Sequence, residues 1–286
     1  MTTQKLARLA LRPKIFHTLC GLTPSQFIAL LADLRPHWEA AEFKRKNRPS
    51  RKRAIGAGPK PKLDLSGDLF MTLLFYRTYT GQTFIGLIMG LDDSNVSRRI
   101  RLLEPVLQRV FRLPTKRIDL TEDEIWELIV DATEQPTERR KGTKYSGKKH
   151  QQTIKTQIHV TPRGVIKAVS KDITGNHHDK YLYDKSRTYC RDPDGSIVRA
   201  RKKGDLGYEG TECNIPIKKP KSRPLMMHEK YHNKQHAKAR IIVEHELAHL
   251  KQWEVLSQRF RHRPGRHNLM FRNVVGLRNL IQTAPA

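Results

Sequence analysis

A chain of 286 residues carrying 55 Lys plus Arg against 28 Asp plus Glu, a formal charge of +27, repels itself and is best explained by a polyanionic partner, nucleic acid before all others. Its hydrophobic content of 37% suffices for one substantial core and a smaller helical domain, and no run approaches the roughly 18 apolar residues of a membrane helix, so no membrane partner is expected. Three cysteines without a CxxC pair argue against a disulfide framework and for a reducing compartment, which places the chain in the cytoplasm, at the nucleoid if the partner is DNA.

Residues 1–43 read as short helices. In "LTPSQFIALLADLRPHWEA", Thr23-Pro24 marks a helix start, and Phe27, Leu30, Leu31 and Leu34 recur at helical spacing. The stretch 44–62 holds nine Lys/Arg, no acid, three prolines and two glycines. It is expected to be a basic arm, ordered on DNA, whose Lys44, Arg45, Lys46, Arg51, Lys52 and Arg53 meet backbone phosphates. Residues 63–112 follow as three helices, "LSGDLFMTLLFYRTY", "TFIGLIMG" and "DDSNVSRRIRLLEPVLQRVF". The short middle helix and the "GLDDSN" turn suggest a helix-turn-helix, with Asn95, Ser97, Arg98 and Arg99 in the first turns of the recognition helix. Pro105 is expected to bend or divide that last helix.

From residue 120 the pattern changes to strands. "WELIVDAT" reads as a buried strand with Asp131 near its end, and "QTIKTQIHVTP" with "GVIKAVSKDITG" as a hairpin turning at "TPRG". "HHDKYLYDKS" is a short helix, "SIVRARKKGDLGYEG" a fourth strand ending at Asp205, and "CNIPIKKP" a fifth strand. The main helix is expected from about residue 229 to about 258, and "NLMFRNVVGLRNLIQ" closes the chain. Residues 120–286 therefore read as a mixed α/β domain.

A carboxylate at the end of a buried strand is costly unless something cationic satisfies it. Asp131 after "LIV", Asp205 inside "GDLGY" and Glu244 on the main helix form a set of such acids. Mg²⁺ takes oxygen ligands and is commonly held by a few carboxylates plus substrate phosphate. Two such ions about 3.5–4 Å apart can activate the attacking oxygen and stabilise the leaving one, a chemistry suited to phosphodiester cleavage.

The main helix also carries "HELAH" at 245–249, which taken alone is the HExxH pattern of a zinc metallopeptidase. At about 100° per residue, Val243, Leu247 and Leu250 mark the core face, Arg240, Glu244 and Lys251 lie on its shoulder, and His245 and His249 fall nearly opposite. The histidines are thus expected toward solvent. No third zinc ligand sits in a recognisable extended motif.

The blocks "VDAT", "GDLGYEG" and "NKQHAKARIIVEH…LK" resemble those of insertion-sequence transposases of the DDE superfamily, which have an RNase H-like catalytic core behind a helix-turn-helix. "GNHHD", with His178 and Asp179, resembles the family's His-Asp pair, and "FRNVVGLRNLI" its closing helix. The resemblance implies that Asp131, Asp205 and Glu244 are the catalytic, metal-binding triad for two Mg²⁺ or Mn²⁺ ions. It places Arg240 and Lys251 four before and seven after the glutamate; Ala237 stands where many members have tyrosine. Lys148, Lys149 and Lys155 would line the DNA path. The implied activity is cleavage at the ends of a mobile element and joining of the 3′-OH ends to target DNA, by a homodimer assembled on double-stranded DNA. A catalytically silent DNA-binding protein derived from a transposase is the alternative from another class.

Overall fold

In a computed structural model, the structure describes residues 3–50, 52, 54–55, 57, 61–124, 127–139 and 142–283, the side chains of Thr3 and Gln4 excepted. Two compact units emerge: the first takes residues up to Arg112 together with Gln252–Val255 and the stretch from Leu269 onward, the second takes Leu113–Lys251 and Leu256–Asn268. Arg51 and Arg53 of the basic arm lie outside the described residues, and Lys52 is exposed.

The first unit opens with α1 (Thr3–Ala10), α2 (Pro13–Cys20) and α3 (Pro24–Lys46). Thr23 starts α3 through a reciprocal cap: its hydroxyl accepts from the Gln26 amide (3.2 Å) while the Gln26 side chain accepts from the Thr23 amide (3.0 Å). The expected basic arm begins inside this helix, whose last turn holds Lys44, Arg45 and Lys46. Next come α4 (Leu65–Thr78), α5 (Gln82–Met89) and α6 (Asp93–Phe111). Helix α4 is apolar on nearly every side, which suits a central helix, and Leu69, Phe70, Met71, Leu73 and Tyr76 are essentially without exposure. Pro105 does not divide α6, which runs unbroken to Phe111 with Leu103, Val106 and Leu107 buried on either side of it. Between α5 and α6 the chain turns through Gly90 at φ +70°, and a Cβ on Gly86 would run into the Leu91 carbonyl.

The second unit contributes β1 (Arg117–Asp119), β2 (Glu127–Pro136), β3 (Lys144–Ser146), β4 (Gln151–Val160), β5 (Ile166–Val169), β6 (Ile173–Thr174), α7 (Asp179–Ser186), β7 (Tyr189–Arg191), β8 (Ile197–Val198), β9 (Arg201–Lys203) and α8 (Met227–Lys251), while the short α9 (Glu254–Ser257) is divided between the units. A small sheet has the order β1-β7-β8; the main sheet runs β3-β4-β2-β9, with β5 and β6 also paired to β4. Strand β2 is antiparallel to β4 and parallel to β9. Flanked on both edges, it buries Leu128, Ile129 and Val130 completely. The architecture is mixed α/β preceded by helices.

Two expected strands differ. The fourth ends at Lys203, before Asp205, and is broken into β8 and β9. The segment "CNIPIKKP" makes only a bridge from Asn214 to Lys203, because Pro216 brings no N–H to a ladder. The last helix, α10 (His267–Thr283), was expected with the catalytic segment, yet from Leu269 on it groups with the front helices. Its Asn273 donates to Tyr76 Oη (3.1 Å) and to the Glu104 carbonyl (3.0 Å). Among the described residues no single helix is long and apolar enough to cross a membrane; α2 and α3, bent by 52°, pass that test only as a pair.

Candidate active site

Asp131 follows the three buried residues of β2 on the strand that has neighbours on both edges. The parallel register pairs Glu127 with Arg201, Leu128 with Lys202 and Ile129 with Lys203. Asp205 stands two residues past the end of that ladder, near enough to Asp131 for the two charges to interact. The chain leaves the ladder there: Asp205 Oδ1 accepts from the Gly207 amide at 2.9 Å and starts a short 3₁₀ turn, Leu206–Tyr208. Beneath lies a small core of Val130, Tyr183, Tyr208 and Cys213.

Helix α8 packs on β2 and supplies the other groups. Arg240 Nη2 lies 3.3 Å from Asp131 Oδ2 and 3.9 Å from Glu244 Oε1, so one guanidinium bridges two of the three expected acids. Its buried Nε has no acceptor among the described residues. The Asp131 side chain is 17% exposed and that of Glu244 59%. Lys251 ends the helix in an exposed position.

Burial and neighbouring acids together disfavour the charged form of the Asp131 carboxyl. Burial pushes the Asp131 carboxyl up to about 6, with Asp205 and Asp179 adding to the rise, although Arg240 and the Ala132 amide (2.8 Å from Oδ1) oppose it. Burial also raises the Tyr208 phenol, and the same three aspartates reinforce that shift. The Tyr208 hydroxyl donates to Gln157 Oε1 (3.3 Å).

These donors fit a hard divalent cation in kind: carboxylate oxygens, held on a strand, a turn and a helix, with a surplus of negative charge that a cation relieves. They do not close on one point, since no three His, Cys, Asp or Glu side chains among the described residues stand close enough to share an ion. The Arg240 guanidinium occupies the space between Asp131 and Glu244. As for the zinc pattern, His245 is exposed, His249 is half-buried, and Glu246, which a peptidase needs as an accessible base, is only 4% exposed.

The remaining expected contacts separate into free and committed groups. Lys148 and Lys149 stand exposed in the turn between β3 and β4. Asn95 and Arg98 lie together on the first turns of α6, Arg98 donating to Asn95 Oδ1 at 2.9 Å. Arg45 and Lys46 both pair with Glu42, whose carboxyl is held down to about 2, chiefly by Arg45. Lys44 is exposed. Arg99 is committed inward, bridging the buried Asp68 (Nη2 to Oδ2 2.8 Å) and the Leu63 carbonyl (2.6 Å). Lys155, expected on the DNA path, is 5% exposed and paired with Glu134 and Asp179. Sequence reasoning missed Glu134 and Tyr208 as neighbours of the site, and it named Asp179 only as half of a His-Asp pair, without its contacts. "GNHHD" was the available signal for Asp179; a lysine in a strand with partners on both edges was the signal for a buried pair.

A family profile described as "DDE superfamily endonuclease" matches residues 130–279. The chain is 31% identical over 250 residues to a protein of Microchaete diplosiphon ascribed to the transposases, for insertion sequence element IS702, covering 84% of this chain and 86% of the relative. It is 28% identical over 254 residues to one of Streptomyces albus G, similarly ascribed for element IS112, covering 86% and 87%. No solved structure matches. With a profile matching more than half its length and a relative of this identity matching across most of it, the chain belongs to the DDE superfamily of transposases.

Proposed function

We propose that this protein cleaves phosphodiester bonds at the ends of a mobile DNA element and joins the freed 3′-OH ends to target DNA. The observation that supports the reading is the ion pair of Asp131 with Arg240, which also reaches Glu244, beside a chain that carries Asp205 two residues past the parallel strand β9. The strand order β3-β4-β2-β9, three antiparallel-linked strands and one parallel neighbour, supports an RNase H-like core. Asp131, Asp205 and Glu244 are the residues that would hold divalent cations. When bound, two Mg²⁺ or Mn²⁺ ions supply Lewis-acid stabilisation of the reacting phosphate and a more acidic attacking water.

The chain's own residues do the rest. Arg240 holds the Asp131 carboxylate ionised and oriented. Asp205 is fixed by its own turn, and Glu244 reaches out from the solvent side of α8. The α5–α6 pair reads element ends through Asn95 and Arg98, and the exposed cations, Lys52, Lys148 and Lys149 among them, meet phosphates without regard to sequence. Two ends must be held at once, so the working species on DNA is a homodimer.

The test is metal-dependent nicking of a duplex carrying the inverted repeats that flank the gene. Wild type should nick with Mg²⁺ or Mn²⁺ and not with EDTA, and Asp131→Asn should bind the duplex without cutting it. Tight binding with no nicking under any divalent cation would replace this reading by a catalytically silent DNA-binding protein.

A further inference from the structure

Lys155 sits on β4 opposite Glu134 of β2 in the antiparallel register. Its ammonium has three N–H donors, and three acceptors surround it: Asp179 Oδ1 at 2.9 Å, the His177 carbonyl at 2.8 Å and Glu134 Oε1 at 3.2 Å. The Lys155 and Glu134 side chains are 6% and 7% exposed. Such a pair is too deep to meet DNA, and its charges are matched and hydrogen-bonded as burial requires.

Asp179 spends one oxygen on that clamp and directs the other elsewhere. A Cβ built on Gly207 would lie 2.8 Å from Asp179 Oδ2 and 2.9 Å from Asp205 Oδ1. Real Cβ atoms do not approach oxygens so closely, so the two carboxylates share the space a side chain at 207 would fill. Gly207 also donates its amide to Asp205. Two anions this near would separate unless each were anchored on its far side; Lys155 anchors one and the 205–207 turn the other.

We infer that Asp179, clamped by Lys155, is a positioning residue for Asp205, acting across the missing side chain of Gly207. The inference rests on the reading of Asp205 as a member of the active site. It assigns Lys155 to the shape of the site rather than to the DNA path. It also gives a physical reason for glycine at 207, where the backbone has no left-handed φ to demand one.

The experiment uses the full chain with two substitutions, Asp179→Asn and Gly207→Ala, and two readouts. In metal-free protein, hydrogen-exchange protection of the amide at position 207 should fall roughly tenfold in both variants, the equivalent of one weakened hydrogen bond, while the amides of α8 keep wild-type protection. Nicking of the end duplex should fall by about 10- to 100-fold, the loss typical of groups that orient site ligands, with duplex binding unchanged. Unchanged exchange with lost nicking would make Asp179 act directly and overturns the positioning role; so does faster exchange with nicking within twofold of wild type. If Asp179→Asn melts below the assay temperature, Gly207→Ala decides alone. A wild type that never nicks would sink the functional reading instead, and the exchange data would still decide whether Asp179 positions Asp205.

Discussion

Arg240 and Asp131 meet across the face between helix and sheet, Nη2 to Oδ2 at 3.3 Å, yet the carboxyl remains raised to about 6 against an ordinary 3.8. Burial outweighs the single cation. For stability the sign is clear: the unfolded chain ionises first, so Asp131 costs folding free energy progressively as pH rises from about 4 to about 6 and in full above that. Asp131→Asn, which keeps shape and removes the charge, should stabilise the metal-free protein at pH 7.5 by about 1–3 kcal/mol. At pH 4 the gain should vanish. Thermal melting in EDTA at the two pH values measures it, and a variant no more stable than wild type at pH 7.5 would contradict the charge surplus.

Removing the cation instead of the acid should act in the opposite sense. Arg240→Gln leaves Asp131 with the Ala132 amide alone against burial and its two acidic neighbours, so its carboxyl rises further. The acid limb of the pH–nicking profile should then move to higher pH, with duplex binding little altered. An unshifted limb would mean that the bridge does not govern Asp131.

The two glutamates of "VEHEL" should separate chemistry from folding. Glu244 is 59% exposed and 3.9 Å from Arg240, whereas Glu246 is 4% exposed. Glu244→Gln should abolish metal-dependent nicking and leave melting and binding near wild type. Glu246→Gln should lower stability by about 1–3 kcal/mol, the usual cost of altering a buried polar side chain, while folded molecules still nick. His249→Ala should nick normally. The reverse pattern, with Glu246→Gln stable but inactive, would restore the peptidase-like reading of the helix.

Much of the arrangement was legible in the sequence because period and punctuation carry it. "LIV" before Asp131 marks a strand buried on both faces, and the helical angles set Arg240 and Glu244 on one shoulder of α8. The wheel also sent the histidines outward, but it did not single out Glu246, which lies about 60° from the core direction on the other shoulder. What stayed hidden depends on tertiary partners. Nothing local distinguishes Arg99 from Arg98, yet Asp68, thirty-one residues earlier, draws Arg99 inward. Lys155 looks like a surface cation until Glu134 and Asp179 are brought to it from another strand and a helix. The fate of "CNIPIKKP" turned on Pro216, a breaker present in the sequence but outweighed by its apolar alternation.

The basic arm has a narrower definition than composition suggested. Lys44–Lys46 belong to α3, and two of the three are already paired with Glu42. Deleting residues 48–61 should therefore lower duplex affinity and flatten the log–log salt dependence, whereas Lys46→Ala should change the slope by less than one. Equal slopes for the deletion and wild type would reduce the arm to a spacer.

Adjacent arginines on α6 should differ in kind. Asn95 and Arg98 are linked to each other on the outer side of the first turns, Asn95 also reaching Asp92. Asn95→Ala and Arg98→Ala should relax end-sequence preference more than they weaken non-specific binding, with melting unchanged. Arg99→Ala should do the reverse. It strips the cation from Asp68, whose side chain is 1% exposed and whose carboxyl burial already raises to about 6 despite the pair. Breaking such a pair costs about 3 kcal/mol. The loss should be larger at pH 7.5 than at pH 4.5, because Asp68 can escape its penalty by taking a proton, and without Arg99 it does so at a higher pH. Melting curves at both pH values, alongside footprints on cognate and scrambled ends, distinguish the two arginines. A stable Arg99→Ala with altered footprints would return Arg99 to the DNA-reading surface.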